Sequence, residues 1–179
     1  MKFRLNRFNI YLLLVLAPVL ICGCQSPESK KKRELASIRL HLETNPDRTD
    51  RSETVPLLRE HSFPVNIEKT AFINEAHLAE ASVIDAMGGF ALRLKFDRQG
   101  TWLLEQYTAQ YAGRRVAIFA QFGEKMKEAR WLAAPVMGRR VTDGVLTFTP
   151  DATRGEADEI VLGLNNVAKK LQDKKSSWE

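Results

Sequence analysis

The stretch FALRLKFDRQGTWLLEQYTAQYAGRRVAIFAQF, residues Phe90–Phe122, decides the fold because it encodes a strand, a helix and a second strand in direct succession. Its first part alternates apolar with other residues, which is the period of a strand that buries one face. The apolar positions of this strand are Phe90, Leu92, Leu94 and Phe96. The stretch predicts a structural core and offers no catalytic set of side chains.

The middle and last parts of this stretch predict a helix and a central strand. Asp97 is placed to cap the helix, and Gly113 supplies the left-handed residue that ends it. Apolar residues recur between them at spacings of three and four, which predicts one apolar stripe. The stripe consists of Trp102, Leu103, Leu104, Tyr107 and Tyr111. Val116–Phe122 is largely apolar on both faces, so we expect this strand in the middle of a sheet.

The N-terminus has the pattern of an export signal whose end resembles a bacterial lipobox. The apolar run Ile10–Ile21 follows basic residues and is too short for a comfortable membrane span. In a lipobox a small residue precedes the cysteine that receives diacylglycerol, and Gly23 before Cys24 fits this pattern. Cys22 does not fit, because Ile21 is too large for that position. We expect residues 1–23 to be a lipoprotein signal peptide; the alternative is that both cysteines are apolar fillers.

The lipid on Cys24 predicts a location and excludes several cysteine functions. The protein would be anchored to a membrane through this residue and would lie in the periplasm. By resemblance to lipoprotein sorting in enterobacteria, Gln25 favours the outer membrane over the inner membrane. With Cys22 removed, no second thiol remains for a disulfide, a redox pair or a cysteine metal site.

Residues 24–34 are expected to form a polar, basic tether. Removing the signal leaves 24 Lys and Arg residues against 22 Asp and Glu residues, and four of the basic ones lie together at Lys30–Arg33. This run is either a contact to anionic lipid head groups or a solvated linker. No basic face with interleaved aromatic residues is present, so we exclude nucleic acid as a partner.

The rest of the chain predicts one α+β domain over residues 35–172. Further strand patterns occur at Ile38–Leu42, Val55–Leu58, Val65–Ile67, Ala79–Ile84, Arg130–Val136 and Val145–Thr149. Thr153 and Glu156 have the spacing of a capping box, which opens an amphipathic helix that reaches Leu171. We expect a mainly antiparallel sheet with two helices packed on one face, followed by a frayed tail at 173–179.

The order of elements and several local strings resemble the head subdomain of the first periplasmic domain of SecD. The family pattern strand-D-x-x-G-helix-G-K/R-x-[VL]-A-I is matched by Asp97, Gly100, Gly113, Arg114, Arg115, Val116, Ala117 and Ile118. A second family signal, a short S-A-P-V-[IM] strand, corresponds to Ala133–Met137. The similarity covers roughly Ile67–Leu171, and its motifs specify a fold rather than an activity.

The resemblance implies a SecD head-like fold and a role beside protein export. In SecD the head is thought to contact the emerging polypeptide, so a lipid-anchored head implies a binding or accessory module. SecD itself carries several membrane helices whose acidic groups couple proton flow to export. Because this chain has no second apolar segment, we do not expect a proton-driven motor.

The polar residues offer no recognisable catalytic or metal constellation. His41, His61 and His77 have no second ligand-type residue at helical or strand spacing, and we expect them to be exposed. We expect no enzyme, no cofactor and no metal. One alternative is a small periplasmic hydrolase, which would need His77 gathered with Glu75 or Glu80; another is a passive structural lipoprotein.

The predicted contact surface lies beside the central stretch. Trp102 and most other aromatic residues are expected in the core, because helical spacing and strand alternation account for them. The strand Arg130–Val136 is the better candidate, since a strand edge can pair with an extended polypeptide of varied sequence. We predict that the partner, an unfolded polypeptide or an envelope protein, contacts Trp131, Ala134, Pro135, Arg139 and Arg140.

Overall fold

Short antiparallel strands and two α-helices make up the fold. This computed structural model describes residues 34–46, 50–59 and 62–176, all within the unit formed by residues 33–179. The strands in this part are β1 (Ser37–Leu42), β2 (Ser52–Leu57), β3 (Phe63–Glu68), β4 (Ile73–Asn74), β5 (Leu78–Ala86), β6 (Gly89–Phe96), β7 (Val116–Phe122), β8 (Glu128–Ala133) and β9 (Val145–Phe148). The helices are α1 (Arg98–Gln110) and α2 (Arg154–Ser176). Cys24, most of the predicted tether and His61 lie outside the described residues.

The stretch from β6 to β7 folds as its sequence predicts. Asp97 caps α1, and its Oδ1 accepts a hydrogen bond from the Gly100 N–H at 2.8 Å. Gly113 follows the helix with φ of 84°, a left-handed conformation that glycine adopts without strain. β7 lies between β1 and β8, and both pairings are antiparallel. The prediction of an interior strand at Val116–Phe122 is confirmed.

The strands are divided among three antiparallel sheets, where the sequence pattern suggested one. The largest has the order β4-β1-β7-β8, the second has the order β5-β6-β9, and β2 pairs with β3. Pro56 and Pro64 face each other in the β2–β3 hairpin. Since neither has an N–H group, they occupy a position at which the two strands exchange no hydrogen bonds. The predicted α+β class with mainly antiparallel strands is confirmed.

Two apolar clusters lie on opposite sides of β7. In the first, Leu104 of α1 and Ile160 and Leu164 of α2 are fully buried against side chains of β1, β5, β6 and β7. The second forms where the β2–β3 hairpin packs on Ala117, whose neighbour Ile118 belongs to the first cluster. Because successive strand residues point to opposite faces, the helices share one face of the four-stranded sheet and the hairpin covers the other.

α2 begins at the predicted capping box and lies close to the rest of the chain. The Thr153 N–H donates to Glu156 Oε2 at 2.6 Å, and the Glu156 N–H donates to Thr153 Oγ1 at 3.3 Å. A Cβ atom on Gly163 would lie 2.7 Å from the backbone nitrogen of Ala36, so only glycine allows this approach. Neither helix in the described part of the chain is long and apolar enough to cross a membrane.

His41 is buried, and the expectation that it is exposed is wrong. It lies on the face of β1 that the hairpin covers, and its Nδ1 lies 2.9 Å from the carbonyl oxygen of Glu68. Because that oxygen can only accept, the ring carries its proton on Nδ1 and donates it. Burial lowers the pKa of His41, and the hydrogen bond to Glu68 opposes this only in part.

Trp102 also departs from the prediction, because its side chain is 55% exposed. The buried stripe of α1 consists of Gly100, Leu104 and Thr108, spaced four residues apart. Leu103, Tyr107 and Tyr111 of the predicted stripe are partly buried and pack against the same core, so the prediction is wrong only for Trp102. Trp102 lies off this stripe and faces outward.

Candidate functional site

Part of the predicted contact surface follows β8 and extends the four-stranded sheet; we call residues 134–137 the contact segment. The Val116 N–H donates to the Pro135 carbonyl at 2.9 Å, and the Met137 N–H donates to the Arg114 carbonyl at 2.8 Å. A proline fits this position because it supplies only its carbonyl to the pairing. Val136 is 51% exposed, so the segment presents an apolar side chain outward.

Trp131 lies on β8, the terminal strand of the four-stranded sheet. Its side chain packs against other side chains of the domain. Its ring meets that of His41 edge-on at a centroid distance of 5.3 Å and that of Phe119 at 5.0 Å. The residue is half-buried at the margin of the second apolar cluster. Its side chain therefore supports the hairpin that lies over this face.

A cleft of about 330 Å³ lies between the end of the β2–β3 hairpin and the residues after β8, and we call it the apolar cleft. Its apolar wall consists of Leu58, Phe63, Ala133, Ala134, Pro135 and Phe148. Leu58 is 40% exposed and has φ of 64°. This left-handed conformation is uncommon for a residue with a Cβ, and such strain is often found at binding sites.

A second cleft of about 530 Å³ lies between the contact segment and β9, and we call it the β9 cleft. Pro135, Val136 and Met137 line one side, and residues of β9 line the other. Leu104 and Thr108 of α1 also line it. Pro135 lines both clefts, and we refer to the two clefts together as the inter-sheet groove.

β9 presents a strand edge to this groove. β9 pairs with β6 on its other side, and the Phe96 N–H donates to the Gly144 carbonyl at 2.9 Å. Since backbone groups of an antiparallel strand alternate in direction, Val145 and Thr147 point theirs away from β6. The Val145 N–H donates to Asp143 Oδ1 at 3.1 Å. Thr147 is exposed, so its N–H and carbonyl are placed to pair with an extended chain.

Asp151 connects β8 to the end of the β2–β3 hairpin. Its N–H donates to the Leu132 carbonyl of β8 at 2.7 Å. Its carboxylate accepts the Arg59 N–H at 2.7 Å and the Arg59 Nε–H at 3.2 Å. One residue therefore holds both β8 and the end of the hairpin that forms the wall of the apolar cleft.

Glu156 extends this attachment into a network of ion pairs. Its carboxylate lies 3.6 Å from Arg59 Nη2 and 2.8 Å from Arg130 Nη2. Partial burial raises the pKa of Glu156, but hydrogen bonds from Arg130 and Thr153 outweigh it and lower the pKa to about 2. Glu156 is therefore ionised throughout the neutral and mildly acidic range.

The two predicted arginines point in different directions. Arg139 is exposed and lines the β9 cleft. Arg140 turns toward α1, where its Nη2 donates to Glu105 Oε1. With Trp102 and Gln106 it lines a separate shallow depression of about 500 Å³. Of the predicted contact residues, those that line the groove are Ala134, Pro135 and Arg139.

Sequence reasoning missed the part of the groove that comes from distant segments. Leu58 and Phe63 reach it because the hairpin folds over the sheet, and Phe148 reaches it from β9. Arg115 lies at the same place, yet the family pattern marks it only as part of a structural motif. No local signal in the sequence places these residues next to Pro135, because their contacts span tens of positions.

The histidines and carboxylates of the hydrolase alternative do not meet in any of these clefts. His77 Nδ1 accepts a hydrogen bond from the Asn74 N–H at 3.4 Å, so it caps the short turn Glu75–His77. Neither His77 nor Glu75 nor Glu80 lines the three clefts described above. Within the described part of the chain, no cluster of three or more His, Cys, Asp or Glu side chains could hold a metal ion.

Comparisons with known proteins give a family match. Residues 52–168, more than half of the chain, match the family of the SecDF P1 head subdomain. A comparison with curated protein sequences finds no match.

The comparison with solved structures finds structures of SecDF. One, described as a membrane component that enhances protein export, superposes with a TM-score of 0.54 and 19% sequence identity, over 82% of this chain and 70% of that chain. The crystal structure of SecDF in its super-membrane-facing form gives 0.47 and 15%, over 90% of this chain and 34% of that chain. SecDF from Thermus thermophilus, described as translocon-associated, gives 0.40 and 16%, over 91% and 34%. The chain thus spans about a third of these last two proteins, and the first similarity supports the fold alone.

Proposed function

The chain belongs to the SecDF P1 head subdomain family, and on this premise we propose that it is a lipid-anchored, periplasmic accessory module of protein export that holds extended polypeptide segments in the inter-sheet groove. The similar SecDF structure is described as a component that enhances protein export. This description motivates an exported polypeptide as the partner of the head domain. The module acts by binding, without catalysing a reaction.

The observation that carries this proposal is a pair of clefts that both include Pro135, one bordered by the edge of β9 and the other by an apolar wall. Backbone pairing with the outward groups of Thr147 would bind an extended chain whatever its side chains. The apolar wall, which includes Leu58 and Pro135, would bury an apolar side chain of the partner. Such burial contributes a binding free energy of about 25 cal/mol per Å² of area removed from water. This combination suits a partner of varied sequence.

The anchor would place this groove close to a membrane. The lipobox at Cys24 motivates the lipid, and the basic run at Lys30–Arg33 motivates contact with anionic head groups. Nine extended residues of tether, Gln25–Arg33, would reach roughly 30 Å. A Cys24→Ala variant should lose incorporation of labelled palmitate and leave the membrane fraction; retention of both in the variant would contradict the anchor.

The binding proposal is tested with two variants that each place a charge on an exposed apolar side chain. Val136 lines the groove, whereas Met87 lies on the β5–β6 turn and is fully exposed. Affinity for a fluorescent, unfolded apolar peptide should fall about tenfold or more in Val136→Glu and stay unchanged in Met87→Glu. Equal affinities for the wild type and both variants would contradict binding at the groove.

A further inference from the structure

One charged side chain lines the apolar cleft. Among the described residues that line it, Arg115 is the only ionisable one. Its guanidinium carbon lies 5.6 Å from the ring centroid of Phe63, and its Nη1 donates to the Ala134 carbonyl at 3.1 Å. Phe63 and Ala134 both line the cleft, so the charged end of Arg115 lies at the cleft and not behind it.

The backbone around Arg115 holds this side chain in place. Its N–H donates to Glu43 Oε2 at 2.7 Å, and Arg115 forms an antiparallel bridge with Val136. The guanidinium itself contacts one neutral carbonyl and one aromatic face. A guanidinium has five N–H donors, so donors remain for a further acceptor.

The guanidinium of Arg115 is not part of an ion pair in the described part of the chain. Within the described part of the chain, no carboxylate oxygen lies within 4.0 Å of its guanidinium, whereas Arg59, Arg130 and Arg140 each have such a partner. The residue is half-buried, so solvent screens its charge less than that of an exposed arginine. The cleft therefore combines an apolar wall with an oriented guanidinium that has no ion-pair partner among the described residues.

Arg139 adds a second positive charge to the same groove. It lines the β9 cleft together with one carboxylate, that of Asp143. Asp143 already accepts the Val145 N–H, so this carboxylate is engaged with the backbone of β9. Among the described residues that line the two clefts, the charged side chains are therefore two arginines and one aspartate, and of the two arginines only Arg115 lies at the apolar wall.

We propose that the groove selects polypeptide segments in which a carboxylate lies beside an apolar side chain, and that Arg115 receives the carboxylate. This inference rests on the proposed function and adds a preference to it. Arginine and carboxylate form paired, charge-assisted hydrogen bonds that are stronger and more directional than neutral ones. In an extended segment, side chains two residues apart project to the same side, so the favoured pattern has one residue between the apolar side chain and the carboxylate.

The test compares three peptides on the full-length, detergent-solubilised protein. They share one extended apolar sequence and differ at a single position, two residues from a central Leu, which is Asp, Asn or Lys. By fluorescence anisotropy, the Asp peptide should bind about tenfold more tightly than the Asn peptide, and the Lys peptide should bind most weakly. Raising NaCl from about 50 mM to about 500 mM should reduce the advantage of Asp over Asn, because salt screens the charge pair.

Variants then assign the preference to one residue. In Arg115→Gln, which removes the charge and keeps a side-chain donor, the Asp and Asn peptides should bind equally, at the affinity of the Asn peptide for the wild type. Arg140→Gln should keep the full preference, since Arg140 pairs with Glu105 outside the groove.

The outcomes separate this inference from the function on which it rests. Equal binding of the Asp and Asn peptides by the wild type would overturn the acidic preference and leave polypeptide binding intact. A preference that persists in Arg115→Gln would overturn the assignment to Arg115. Failure of all three peptides to bind the wild type would overturn polypeptide binding itself, and the preference with it.

Discussion

The four-stranded sheet is covered by helices on one face and by a two-stranded hairpin on the other. The helix face is filled by aliphatic side chains that are fully buried, including Leu40, Ile118 and Leu164. The hairpin face buries a smaller set and includes the imidazole of His41 and the half-buried indole of Trp131. One sheet thus carries a large aliphatic core on one side and a thin, partly polar layer on the other.

This difference indicates that the helix face provides most of the stability and that the hairpin face contributes to binding. Regions with few buried apolar contacts open at lower free energy than the global core. The hairpin is such a region, and polar contacts such as His41 to Glu68 and Arg59 to Asp151 help to hold it. Because Leu58 and Phe63 at its end line the apolar cleft, the part of the proposed binding surface that the hairpin contributes belongs to the less stable side.

Truncating a buried side chain on the helix face should have the largest effect on the free energy of unfolding. Leu164 is 0% exposed in the first cluster, so Leu164→Ala should lower the free energy of unfolding by about 3–5 kcal/mol, through lost transfer energy and a cavity. Urea denaturation followed by circular dichroism measures this. A loss below about 1 kcal/mol would mean that the helix face is not the main source of stability.

The same Leu→Ala truncation on the hairpin face should lower the free energy of unfolding by less, and its effect should be confined to the hairpin. Leu57 is also 0% exposed but belongs to the second cluster, so Leu57→Ala should cost about 2 kcal/mol, near the lower limit for such changes. Hydrogen exchange should accelerate in β2 and β3 and stay unchanged in β6 and β7. Uniform acceleration across all strands would contradict the distinction between the two faces.

A smaller effect is expected where α2 approaches β1. A Cβ at Gly163 would collide with the backbone of Ala36, so Gly163→Ala should cost about 1–2 kcal/mol through the backbone shift it forces. Gly155, in the first turn of the same helix, has no atom within 4 Å of such a Cβ. Gly155→Ala is the matched control and should be neutral or slightly stabilising; equal losses in both variants would rule out the close approach as the cause.

The smallest effect concerns the pH dependence of the hairpin face. Burial lowers the pKa of His41 below its ordinary value of 6.5, so the folded protein binds this proton less readily than the unfolded chain. The stabilising contribution is complete above pH 6.5 and is lost as the pH falls from there through the lower folded pKa. Urea midpoints between about pH 5 and about pH 7.5 should therefore decline more in the wild type than in His41→Gln; parallel profiles would exclude His41 as the source.

Local patterns in the sequence predicted the helices and strands. The burial of individual residues and the composition of the groove depend on long-range packing. The alternation of β6 and the cap at Asp97 depend on neighbours in the chain, so both could be predicted. The burial of His41 depends on a hairpin that folds over β1 from a later segment, and nothing near His41 encodes that contact. For the groove, Ala134 and Pro135 were predicted from an edge-strand pattern, whereas Leu58 and Arg115 become neighbours only in three dimensions.

The hydrogen bond from Asp151 to β8 has a further consequence for pairing between chains. A long open strand edge invites identical chains to pair with one another, which leads to aggregation. Here the Leu132 carbonyl of β8 already accepts the Asp151 N–H. Part of the edge of β8 is therefore closed to another chain, while β9 keeps an edge on which another chain can be held.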